Sequence, residues 1–337
     1  MATTTDRSCE SARFTRARSF GSLRADGTIG AQMHLQVFDL DGSLTGQASL
    51  ADAAPWQAVR TLDFRDIGPK LRLWSRAATI ETARRRIAGS TTDRAITLLG
   101  SGDFHHVAAL LHERVREPFT LVHFDNHPDW IRLAPRWHCG SWLNRTLALS
   151  NLRRAITLGP CSDDLVNPGI KGGNLAALDS GRLQLHPWQH APSRVFHRIA
   201  DGPGHRYERG LIHWRNVSER RLDEAISAII GEVPTDAVWI TIDKDVLPED
   251  EVVTNWDQGH MPLDAVLRFV RALVAERRLI GADICGEYAP AVHANPFKRI
   301  EARIDQPRRD DVTAANLAAN ERVNRALLGA LAGVVPC

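Results

Sequence analysis

The densest chemistry in the chain lies between Phe119 and Trp130, in the string Phe-Thr-Leu-Val-His-Phe-Asp-Asn-His-Pro-Asp-Trp. A mainly apolar run leads into Asp125, His127 and Asp129, and Pro128 cannot continue a hydrogen-bonded ladder. Such a segment reads as a buried strand that ends at a loop. Residues two apart on a strand face the same side, about 6–7 Å apart along the backbone. Asp125 and His127 can therefore aim at one point, and Asp129 can curl back over it if the chain turns at Pro128. Two hard oxygen donors and one imidazole suit Mn²⁺, Fe²⁺ or Zn²⁺, whereas the bland alternative is a solvated polar loop. Residues 237–245 repeat the pattern, a β-branched strand ending in Asp243 and Asp245. Carboxylates packed this closely need a cation or a shared proton between them. A third cluster, residues 98–106, runs through a glycine turn to His105 and His106. Three strand ends supplying Asp and His make a two-metal site the economical explanation.

Holding three such ends together takes a sheet. Strands are expected at 95–100, 119–125, 154–160, 182–188, 210–217, 237–245 and 279–285, and a short one at 63–66. Helical periodicity covers 67–88, 104–114, 141–149, 218–230 (with Ser218 as N-cap), 262–277 and the Ala/Leu-rich tail 310–335. Residues 163–181 and 189–209 read as loops. This alternation predicts an α/β architecture, a mainly parallel sheet with helices on both faces, and in such sheets functional groups gather at the carboxyl ends of the strands. One stretch misleads. His34 to Gly46 looks like the nucleophile motif of haloacid-dehalogenase phosphatases, with Asp39 as nucleophile. No matching downstream Ser/Thr strand end, Lys and acidic pair accompany it, so a β-hairpin turning at Asp41-Gly42 is the expectation.

Composition narrows the class. The chain has 337 residues, 43% of them hydrophobic, enough for one large α/β domain. Its 42 basic and 40 acidic residues leave a net charge of +2, which gives no electrostatic case for nucleic acid or membrane binding. Five scattered cysteines without a Cys-x-x-Cys spacing fit a reducing compartment, and cytoplasm is the expected location. Residues 1–30 are polar and read as a flexible leader, followed by a single catalytic domain over 31–337.

With these residues in view, the sequence resembles the ureohydrolase (arginase–agmatinase) superfamily. Its three signatures appear in family order as Gly102-Asp103-Phe104-His105-His106, Asp125-Asn126-His127-Pro128-Asp129 and Asp243-Lys244-Asp245. The resemblance implies the three-layer α/β/α arginase/deacetylase fold and a pair of Mn²⁺ ions, with Fe²⁺, Co²⁺, Ni²⁺ or Zn²⁺ as substitutes. One metal would take His105, Asp125, Asp129 and Asp243, the other Asp125, His127, Asp243 and Asp245. It further implies a proton shuttle at His138, proton transfer by Asp129, a guanidinium-holding carboxylate at Glu287, and often a homo-oligomer. Phe104 is an insertion, so His106 competes with His105 as ligand, and Lys244 stands where the family is usually apolar. The loop from Trp130 to Trp137 is bulky. It is expected to line the site and to suit a larger guanidine, such as arginine within a peptide converted to ornithine, better than free arginine. A small free guanidine, a single-Zn²⁺ deacetylase-like amidohydrolase and a non-catalytic metal-binding remnant are the alternatives.

Overall fold

The computed structural model describes residues 33–90, 94–132, 137–290, 293, 295–309 and 311–334. The leader expected over residues 1–30, and residues 133–136 of the aromatic loop, lie outside the described residues. The strands are β1 (His34–Asp39), β2 (Val59–Asp63), β3 (Ala95–Leu98), β4 (Phe119–Phe124), β5 (Leu152–Leu158), β6 (Leu183–His186), β7 (Ser193–Arg194), β8 (His205–Glu208), β9 (Leu211–Trp214), β10 (Ala237–Asp243) and β11 (Arg278–Cys285). Eight of them form one sheet in the order β2-β1-β3-β11-β10-β4-β5-β6, and every neighbouring pair is parallel.

The reason is in the side chains. Every position of β4 and β10 is buried, and strands covered on both faces read as near-continuous apolar runs. Alternate residues feed two separate cores. Leu121 and Trp239 belong to one, and Val122, Phe124, Val238 and Ile240 to the other. Helix Ala77–Ser90 packs Ile80, Ala83 and Ile87 into the first core. Helices Leu263–Glu276 and Ala314–Leu331 pack Phe269, Leu273 and Leu327 into the second. The result is the three-layer α/β/α arrangement with a parallel central sheet. The described residues contain no helix long and apolar enough to cross a membrane.

The local expectations failed where pairing is long-range. β1 does not fold back as a hairpin but lies parallel between β2 and β3. Gly42, at φ +81°, turns the chain, which then runs into a short 3-10 helix at Ala48–Asp52. Asp39 accepts from Gly42 N at 2.8 Å and pairs with Arg65 at 3.2 Å, so nothing about it is poised as a nucleophile. The helix expected over 67–88 breaks in two, Gly68–Leu71 and Ala77–Ser90, with Leu73 at φ +62° between them. The expected loop 189–209 contains the whole of β7 and β8, which flank β9 in a small antiparallel sheet. Helix 218–230 starts later, at Leu222, with Arg221 at the N-cap position and no capping side chain, so Ser218 is not the cap. A further helix, Pro296–Asp305, was missed because its apolar residues do not face the core.

Candidate metal centre and its cavity

The four strands β3, β11, β10 and β4 are consecutive in the sheet. Parallel pairing puts all their carboxyl ends on one edge, and neighbouring strands are about 4.8 Å apart, so side chains leaving those ends can meet. Beyond β4, Asp129 sits at φ +47°, a conformation that costs a non-glycine residue about 1–2 kcal/mol. That turn brings its carboxylate back over the strand end. Gly102 allows the approach from β3, because a Cβ there would lie 2.6 Å from Asp243 Oδ2.

His105, Asp125, Asp129, Asp243 and Asp245 are all at most 5% exposed. With His127 they line one cavity of about 600 Å³. His105 Nδ1 lies 3.2 Å from Asp125, 3.1 Å from Asp129 and 3.5 Å from Asp243. His127 Nδ1 lies 3.5 Å from Asp125 and 3.1 Å from Asp245. Asp125 thus reaches both imidazoles.

The hydrogen bonds behind the rings set their tautomers. Thr241 donates its hydroxyl proton to Asp283 at 2.5 Å. Thr241 Oγ1 must therefore accept from His105 Nε2–H, 3.0 Å away. Asp257 accepts from His127 Nε2–H at 3.0 Å. In each ring the nitrogen lone pair is left on Nδ1, facing carboxylates. A lone pair aimed at anions is repulsive unless a proton or a cation stands between them. His105 Nδ1 has no hydrogen-bond partner among the described residues despite its complete burial. Two imidazole lone pairs, four carboxylates and a rear acceptor for each ring suit divalent cations.

The titration behaviour tells the same story. Burial alone would lower both imidazoles, yet Cys285, Asp125 and Asp129 around His105, and Asp245, Asp125 and Asp257 around His127, hold both well above the ordinary histidine value. Burial first, and neighbouring carboxylates second, raise Asp129 and Asp243, and raise Asp245 most strongly. Asp125 goes the other way. Burial opposes its charge, but His123, His105 and His127 keep it well below the usual carboxylate range.

Several supporting residues carry no motif in the sequence. His123 donates from Nε2 to Asp125 Oδ2 at 2.8 Å; it precedes the motif by two positions on the same strand, which was the available signal. Trp142 donates its indole N–H to Asp129, and the Cys285 thiol lies 3.1 Å from Asp243 Oδ2. Trp239 donates to Asp283 at 2.7 Å, holding the carboxylate that holds Thr241. His138 lines the cavity. Its Nδ1 accepts from Gly140 N at 2.9 Å and its Nε2–H donates to Glu301 at 2.6 Å. Nothing in the sequence links Glu301 to His138.

Other expected residues lie elsewhere. His106 turns away from the cavity toward Ser75 Oγ, 3.0 Å distant, and burial holds it well below its ordinary value, so it stays neutral. Of the two histidines, His105 faces the carboxylates. Trp130 is fully buried, with Gly173 packed on its ring, and Trp137 lies under the guanidinium of Arg145 at 4.6 Å. Neither lines the cavity. Glu287 does not either. Gly286, at φ +89°, turns the chain, and a Cβ there would lie 2.4 Å from Asp243. Glu287 then enters a buried network, ion-paired with Lys244 and accepting from Gln47 at 3.0 Å and Asn324 at 2.6 Å.

That buried pair makes a prediction. Replacing Lys244 by Met should cost about 3–5 kcal/mol in urea denaturation, because Glu287 is left charged and dry. The double change Lys244→Met with Glu287→Met should recover most of the loss. Glu287→Gln should leave KM for a guanidine substrate unchanged; a large rise in KM at unaltered stability would return Glu287 to the substrate.

Comparison with known proteins agrees with this geometry. The family model described as the arginase family matches residues 36–304. An uncharacterized protein of Thermotoga maritima is 28% identical over 195 residues, a match spanning 58% of this chain and 59% of that relative. Among solved structures, proclavaminate amidino hydrolase from Streptomyces clavuligerus superposes with a TM-score of 0.58 at 13% identity, covering 90% of this chain and 93% of that one. Formimidoylglutamase from Bacillus subtilis gives 0.58 at 14%, covering 95% and 96%. Arginase from Entamoeba histolytica gives 0.57 at 13%, covering 90% and 100%. At these identities the likeness is one of fold.

Proposed function

The chain belongs to the arginase family, and from that premise we propose that it is a cytoplasmic, binuclear-metal hydrolase that cleaves a guanidino group to urea and an amine. The observation that carries the reading is the matched pair of imidazoles, each with Nδ1 turned to carboxylates that share Asp125. His105, Asp125, Asp129 and Asp243 would hold one ion, and Asp125, His127, Asp243 and Asp245 the other. The oxygen-rich donor set favours Mn²⁺ over softer ions. When bound, the metal pair supplies hydrolytic power at neutral pH by lowering the pKa of a water.

The remaining work belongs to the protein. Asp129, with one oxygen tied to Trp142, has its other oxygen available to orient the attacking water and take its proton. His138, held between Gly140 N and Glu301, stands at the cavity wall where it can relay a proton to the departing amine. Asp163, Asp164, Asp257 and Asp305 also line the cavity, and no Lys or Arg does among the described residues. This acidic wall attracts a guanidinium and repels a free α-carboxylate. It supports a substrate whose carboxyl group is absent or tied up in an amide, peptidyl arginine converted to ornithine before free arginine. Trp130 and Trp137, being core residues, contribute nothing to that preference.

The test is a metal count and a urea assay on Mn²⁺-loaded protein with arginine, agmatine, guanidino acids and arginyl peptides. Two ions per chain and urea from a guanidine without a free carboxylate are expected. A single bound ion with amide rather than guanidine hydrolysis would overturn the reading in favour of a deacetylase-like enzyme.

A further inference from the structure

Helix Pro296–Asp305 has its polarity reversed. Lys298, 2% exposed, is turned into the protein, with Nζ donating to the carbonyls of Lys70 at 3.0 Å and Arg72 at 2.6 Å. On the same side Glu301 accepts from the Trp74 indole at 2.7 Å and from His138. The apolar residues face water instead. Phe297 is 72% exposed, Ile300 55% and Ile304 75%. Spacings of three and four place all three on one helical stripe. A helix that anchors itself by charges and presents its apolar side outward is built to cover, or be covered by, something.

Position says what. Ile304 belongs to the stripe and also to the wall of the acidic cavity, and Asp305 beside it lines the same cavity. The stripe is therefore the continuation of the site onto the surface. Resting on the guanidine-hydrolase reading, we propose that it docks the apolar residues flanking an arginine in a peptide substrate, while the guanidinium enters the cavity. The charges are complementary: a cationic side chain meets carboxylates and its uncharged neighbours meet Phe297, Ile300 and Ile304. The size fits as well. Phe297 to Ile304 spans about 10 Å at 1.5 Å per residue, the length of about three residues of extended chain. Because Glu301 on the same helix holds His138, a peptide seated there sits against the element that positions the proton relay.

The experiment compares acetyl-Leu-Val-Phe-Arg-amide with acetyl-Ser-Gly-Ser-Arg-amide and with agmatine, in the Mn²⁺-loaded protein and in Phe297→Ser/Ile300→Ser. The apolar peptide should show a KM about tenfold lower than the polar one. The double variant should erase that difference and leave kcat, and both constants for agmatine, unchanged. Equal KM values for the two peptides, or a variant indifferent to the flanking residues, would overturn the docking surface while urea release from agmatine left the hydrolase reading standing. If no guanidine is cleaved, fluorescence anisotropy of the labelled peptides still decides. The apolar peptide must bind more tightly to the native chain than to the variant, and equal binding refutes the proposal. Sedimentation of both proteins completes the test, since a variant that changes only the oligomeric state would assign the stripe to a second copy of the chain.

Discussion

Asp125→Asn is expected to fold and to lose the metal pair. Asp125 faces both imidazoles, accepts from His123 at 2.8 Å and from the His127 backbone N–H at 2.6 Å, and is 1% exposed. An amide in its place keeps the shape, yet presents one neutral oxygen where two ions would share a charge. Urea release from the best guanidine in the panel should fall on the order of a thousandfold or more, about 4 kcal/mol of barrier. Elemental analysis of protein dialysed against Mn²⁺ should give at most one ion per chain, with circular dichroism showing the native fold. Two retained ions with activity within tenfold of the native chain would remove Asp125 from the bridging position and undo the proposed centre.

Asp245→Asn should act in the opposite sense on stability. Burial and the neighbouring Asp243 and Asp125 raise the Asp245 carboxyl well above its ordinary value. A carboxyl whose pKa is raised by folding contributes stability below its unfolded pKa, and that contribution is lost as pH rises through the folded pKa. Without metal, the native chain is therefore penalised toward neutral and alkaline pH, and the asparagine variant escapes the penalty. Every tenfold difference in proton affinity between the folded and unfolded chain is worth about 1.4 kcal/mol. The metal-free variant should melt a few degrees higher than the metal-free native chain at pH 8, with the gap closing as the buffer is made acidic. Mn²⁺ should reverse the ranking. An ion that binds only the folded state at a hundred times its Kd adds about 2.7 kcal/mol, a gain the variant largely forgoes. Equal melting of the two metal-free proteins from pH 5 to pH 8 would show that the carboxylates do not strain the empty cluster.

These two results would locate the function in a cluster that is frustrated on its own. His105 and His127 sit well above, and Asp129, Asp243 and Asp245 above, their ordinary pKa values, each perturbed by burial and by the others. Structural ion pairs relieve such tension with a partner, as Lys244 does for Glu287. Around this cavity no Lys or Arg among the described residues does the same.

The sequence by itself determined the sheet's central strands and the residues at their ends. Apolar runs before Asp125 and Asp243, and the glycine turn before His105, are local signals, because a strand buried on both faces is apolar at most positions and admits a polar one only with a buried partner, as His123 and Thr241 have. Parallel pairing then forces those ends to one edge, which is why all six metal-ligand candidates line one cavity. What only the tertiary structure decided depends on partners far away in the chain. His105 rather than His106 faces the carboxylates because Thr241, 136 residues on, holds its far nitrogen. Glu287 left the site because Lys244 and two asparagines of the last helix claimed it. Trp130 and Trp137 were absorbed into the core, and β1 became an interior parallel strand where a hairpin was expected. In each case a side chain had two acceptable environments locally, and the choice fell to long-range packing, whose energy no window of sequence contains.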